Sequence, residues 1–122
     1  MALTSTEIVI GKDTRYNISL RVDATAGKGF SCFVCGGDRP HVGAVALISR
    51  KGEEQIMKLD KGCTELDEEA ALTVARMLND SFREAVSCTA GVEFKDASEK
   101  DIKQMRMNFT AAARHFIGTY ER

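Results

Sequence analysis

The sequence predicts an α+β domain, five or six mostly antiparallel strands followed by two long helices. Two patterns predict it. Apolar residues recur at every second position through the first half and at helical spacing through the second. Internal repeats, low-complexity tracts and linkers are absent from residues 1–122, so the expectation is one domain over the whole stretch.

Taken in order, Glu7 to Ile10 is a short apolar run that turns at Gly11-Lys12-Asp13. Tyr16, Ile18, Leu20 and Val22 then alternate with Asn17, Ser19 and Arg21, the pattern of a half-buried strand. Ala24 to Gly29 is small and glycine-rich and suits a hairpin loop. Phe30 to Cys35 and Val42 to Ile48 read as strands that are apolar on both parities. A charged turn, Arg50-Lys51-Gly52-Glu53, leads to a last short strand at Gln55 to Leu59.

There the period changes. Thr64 can cap a helix whose first turns carry Glu65, Asp67, Glu68 and Glu69, placed where the positive end of the helix dipole favours acids. Its apolar stripe runs from Ala71 through Leu78 and Phe82 to Val86, and Cys88-Thr89-Ala90-Gly91 ends it. Val92 to Lys95 has the make-up of one more short strand. Ser98 and Asp101 form a capping-box pair that opens a second helix, with a stripe from Ile102 to Tyr120. Strands apolar on both parities need cover on both faces. The two helices supply one cover, and a second copy in a homodimer is the simplest source of the other.

Composition narrows the function classes. Of 122 residues, 43% are hydrophobic and 29% charged, with 17 Lys plus Arg against 18 Asp plus Glu. That balance removes any sequence-wide argument for nucleic acid, which needs a basic face, and for a polybasic membrane contact. Val42 to Ile48 is too short to span a bilayer. The polar, acid-bearing stretch Met1 to Glu7 lacks the form of a secretion signal, so the expected location is the cytoplasm. Three Asn-x-Ser/Thr sequences, beginning at Asn17, Asn79 and Asn108, carry no weight there.

Four cysteines should then stay reduced. Cys32 and Cys35 have C-x-x-C spacing, and with His41 and Cys63 they make a conceivable zinc set. Residues three apart on a strand point to opposite faces, however, so no metal is expected, and the pair reads as buried packing. Gly27-Lys28-Gly29 fails as a phosphate loop, because Lys28 lacks the following Ser or Thr and no helix opens there.

Gly36-Gly37-Asp38-Arg39-Pro40-His41 is the most informative stretch. A plain hairpin turn explains Gly37, Asp38 and Pro40. An anion-gripping loop uses Arg39 and His41 as well: glycines admit a ligand to backbone N–H groups, Arg39 offers a two-pronged donor, and His41 exchanges protons near neutrality. Both readings stay open. No nucleophile can be set beside Asp38 and His41, so no catalytic residue is assigned. A small enzyme using His41 and Asp38 on an anionic metabolite, and a zinc-stabilised interaction domain, remain as alternatives.

The segment Gly36, Gly37, Asp38, Arg39, Pro40, His41, Val42, Gly43, Ala44, leading into an apolar strand, resembles the Gly-Gly-Asp-x-Pro-His-Ile/Val-Gly-Ala motif of the LpdD-like prenylated-flavin chaperone family. These are the small accessory D subunits of bacterial gallate and related hydroxyarylic acid decarboxylases. The resemblance implies a homodimeric fold like that of the small proteasome-assembly chaperones. It also implies a non-enzymatic partner of a UbiD-like decarboxylase, one that binds or delivers prenylated FMN, or FMN, or supports holoenzyme assembly. Gly36, Gly37, Asp38 and His41 carry over as motif positions, and Arg39 joins them on charge.

Overall fold

A computed structural model describes residues 3–25 and 28–120. Ala26 and Gly27, part of the expected hairpin loop, and the first two residues of the chain lie outside them. The elements in chain order are β1 (Leu3–Ile10), β2 (Ile18–Thr25), β3 (Phe30–Gly37), β4 (Ala44–Ile48), β5 (Glu54–Lys58), α1 (Glu65–Phe82), β6 (Val86–Glu93) and α2 (Glu99–Thr119). This is the expected α+β class, a six-stranded mixed sheet with two helices.

The strand order is β1-β2-β3-β6-β4-β5. Only β3 and β6 run parallel; every other pair is antiparallel. Both helices pack on one face, α1 against β6 and β4, α2 against β1, β2 and α1. The core between them is built on Phe109, Phe116, Leu78, Met105, Ile18 and Leu20, all at most 1% exposed. Burying a residue of that size contributes about 1.5–3 kcal/mol, so these side chains set the register of each element. A ring cluster of Phe30, Phe82, Phe116 and Tyr120 closes one end.

Both helices start at complete capping boxes, Thr64 with Asp67 and Ser98 with Asp101. The Asp101 carboxyl also accepts a 2.7 Å hydrogen bond from the Tyr16 hydroxyl. Together with the bond from Ser98, this pushes its pKa down to about 2, against partial burial.

Two expectations change on contact with the structure, and a third is left with its face uncovered. First, α1 ends at Phe82, where Arg83 takes a left-handed φ of 56°, and the stretch read as its tail is a full strand. Val86, Cys88, Ala90 and Val92 of β6 are buried on the helix face, while Ser87 and Thr89 are half-buried on the other. Second, β6 enters between β3 and β4, so Asp38–Gly43 is a crossover over the end of β6 and not a hairpin turn. Third, the sheet face away from the helices is open. Phe33 and Leu47, from the two strands read as apolar on both sides, are exposed there in the single chain, and so is Met57 of β5.

Candidate functional site

Four backbone hydrogen bonds fasten the crossover to the strand beneath it. Asp38 and Arg39 donate their backbone N–H groups to the Glu93 carbonyl, His41 donates to Gly91, and Gly43 donates to Ala90. Gly36 and Gly37 close β3, and Gly37 takes a φ of 80°, a conformation that glycine alone adopts without strain. Gly91 is required for another reason: a Cβ there would overlap the His41 backbone carbonyl, so its absence lets the loop lie on β6.

His41 is the bolt. Its Nδ1 lies 3.0 Å from the Arg39 carbonyl and its Nε2 lies 2.7 Å from Asp67 Oδ2. Both partners are acceptors, an arrangement that favours the imidazolium, in which both ring nitrogens donate. Asp67 is fully buried. Its Oδ1 accepts the Val92 N–H at 2.6 Å and its Oδ2 accepts the Thr64 N–H at 2.9 Å. Thr64 also donates its hydroxyl to the Val92 carbonyl at 2.9 Å. One carboxylate therefore joins the crossover, the end of β6 and the first turn of α1.

Burial pulls the His41 pKa down, but the Arg39 carbonyl, the Asp67 hydrogen bond and the charges of Asp67 and Glu93 together raise it above 6.5. A histidine that binds its proton more tightly when folded adds stability in full below about pH 6.5, the unfolded value. That contribution is lost as pH rises through the higher folded value. The melting temperature of the protein should accordingly exceed that of His41→Gln by a margin that shrinks from pH 6 to pH 9. A margin constant with pH would contradict the imidazolium assignment.

The other loop side chains divide into held and free. Asp38 Oδ2 accepts 3.1 Å bonds from an Arg15 guanidinium N–H and from the Lys95 backbone N–H. Arg15 is held further by the Lys95 carbonyl and sits over the Phe94 ring. Arg39 is 78% exposed, and its only ion pair among the described residues is a long 3.9 Å contact with Glu93. Asp38, Arg39, Glu93 and Lys95 line a shallow depression of about 350 Å³. The five residues singled out in sequence are thus contiguous, but His41 and Asp38 are bonded to different partners. They do not form an acid–base pair.

Cys32 and Cys35 do not converge. Cys32 is buried on the helix face beside Cys88, its neighbour in register, and Cys35 is half-buried on the opposite face. The bond to Cys32 and burial push the Cys88 thiol well up, and burial raises Cys35 and Cys63 as well. No group of three or more His, Cys, Asp or Glu among the described residues is arranged to hold a metal ion. No helix among the described residues is long and apolar enough to cross a membrane.

The sequence did not single out Asp67, Gly91, Arg15 and Lys95 as residues of the site. Asp67 was legible as the third residue of a helix cap, which explains one of its oxygen contacts. Its bond to His41, 26 positions away, depends on a crossover that no local pattern announces.

Comparison with known proteins supplies the remaining findings. A search of curated proteins finds no match. A chain from the crystal structure of a chaperone complex for yeast 20S proteasome assembly superposes with a TM-score of 0.68 at 9% identity, covering 98% of both chains. At that identity the likeness shows a shared fold alone. The family model described as the prenylated flavin chaperone LpdD-like domain matches residues 12–121, which take in the whole crossover and both helices. The chain belongs to that family.

Proposed function

We propose that this protein is a non-enzymatic chaperone of prenylated FMN, binding the cofactor and delivering it in the cytoplasm to a UbiD-like hydroxyarylic acid decarboxylase such as a gallate decarboxylase. Membership of the prenylated flavin chaperone family is the observation that carries this reading. The crossover is its contact site. Gly36, Gly37, Asp38 and His41 set the shape of the loop, and Arg39, free of short ion pairs, reaches out as the anion-binding group. A guanidinium fork matches the terminal phosphate of a flavin mononucleotide.

Residues 1–122 work as one domain, and two copies form a homodimer through the open face of β4 and β5. Val45, Leu47, Gln55, Met57 and Leu59 supply that patch and carry no charge, so two identical surfaces meet there without repulsion.

Mixing the purified protein with prenylated FMN should shift the absorbance spectrum of the flavin. Adding the complex to cofactor-free decarboxylase should produce active enzyme faster than free prenylated FMN does. Arg39→Ala should weaken cofactor binding about tenfold, the loss of one charge-assisted contact. Neither a shift nor faster activation would remove the proposal.

A further inference from the structure

The open face of the sheet is not uniform. Its β4–β5 side is apolar, whereas its β2–β3–β6 side mixes one aromatic ring with charges and hydroxyls. There Arg21 stands opposite Phe33 and Phe33 beside Thr89, while in the next row Asp23 stands opposite Ser31 and Ser31 beside Ser87. Arg21, Asp23, Ser31, Phe33, Val42 and Thr89 enclose a trough of about 280 Å³. A second hollow of about 420 Å³ continues from it, sharing Asp23 and Ser31.

We propose that this trough docks the isoalloxazine ring of the flavin, with the ring stacked on Phe33 and its pyrimidine edge hydrogen-bonded by Arg21, Asp23 and Ser31. The inference rests on the flavin reading above and locates the part of the cofactor that Arg39 does not hold.

Complementarity of donors and acceptors is the argument. The pyrimidine edge of a flavin presents acceptor, donor, acceptor in the order C2=O, N3–H, C4=O. Arg21 can only donate, an ionised Asp23 can only accept, and Ser31 can donate, so the strands offer the matching set. The Asp23 carboxyl is kept below its usual range by a hydrogen bond from the Ser5 hydroxyl and by the Arg21 charge, against partial burial. Arg21 Nε occupies one of its lone pairs at 3.4 Å. A carboxylate has about four such positions, which leaves room for an N3–H.

Phe33 gives the ring a π-face to stack on, and Val42, 55% exposed at the crossover end of the trough, gives it an apolar wall. A second copy of the chain suits this half of the face poorly. It would have to desolvate two copies of the Arg21–Asp23 pair, with only Phe33 and Val42 as apolar area in return.

Binding of prenylated FMN, followed by absorbance titration, tests the site in the whole protein with Phe33→Ala, Asp23→Ala and, as a control on exposed α2 surface, Met107→Gln. Phe33→Ala and Asp23→Ala should each bind about tenfold more weakly, the loss of one stacking contact or one charge-assisted hydrogen bond. Met107→Gln should bind as the parent does. Melting temperatures near that of the parent would show that the weaker binding is not a folding defect. Unchanged affinity in both trough variants, with the parent binding well, would overturn the site and leave the flavin reading standing. Absence of binding by the parent would overturn both. Dimers that dissociate in Phe33→Ala while flavin affinity holds would assign the trough to a second copy instead.

Discussion

Asp67→Ala is expected to cost about 3–5 kcal/mol, a large share of the roughly 5–15 kcal/mol that holds a domain folded. The substitution strands the Val92 and Thr64 N–H groups and the His41 imidazolium, each of which now points at a carboxylate oxygen. Each orphaned buried donor alone costs about 1–3 kcal/mol. Urea unfolding monitored by circular dichroism measures the total. Asp67→Asn, which keeps the acceptor for Val92, should lose roughly half as much. The His41→Ala, Asp67→Ala double variant should be less destabilised than the sum of the singles, because the two share one bond. Strict additivity, or a loss under about 1 kcal/mol for Asp67→Ala, would mean that the carboxylate does not clamp the crossover.

Gly91→Ala is the second large effect, expected at about 3 kcal/mol. Its new methyl would overlap the carbonyl of His41, which is backbone, so no side-chain rotation relieves it. The crossover must rise off β6, lengthening the His41 and Gly43 hydrogen bonds to Gly91 and Ala90. Hydrogen exchange should therefore speed up at Asp38 to Gly43 by more than global unfolding explains. Stability within about 0.5 kcal/mol of the parent would rule out the close approach.

How far the sequence could be read depends on whether its signals were local. The alternation of Ile18, Leu20 and Val22 appears unchanged in β2, and Thr64 and Ser98 cap their helices as their side chains required. β6 was obscured because Ala85 and Val86 fall at helical spacing from Phe82, and because its small residues, Ser87, Cys88, Ala90 and Gly91, give little β signal. Without β6, the segment Gly36–His41 could only be read as a turn between neighbours. Its composition marked it correctly as unusual. The reason, that Asp38 and His41 are committed to Arg15 and Asp67 while Arg39 is left outward, lies in pairings between residues 23 and 26 positions apart. The open face was marked by composition, since Phe33 and Leu47 are apolar and exposed in the single chain, but apolarity on both parities says only that a face is to be covered and not by what.

The late strand in the middle of the sheet has a consequence for biogenesis. β1–β3 and β4–β5 share no hydrogen-bonded edge until β6 joins them, so a three-stranded ribbon and a hairpin stand unjoined during synthesis. Each exposes an inner margin that β6 must find before a foreign strand does. Completion of the sheet is thus timed by the emergence of Val86–Glu93 from the ribosome, and a nascent chain halted before that segment would be two sticky fragments on one thread.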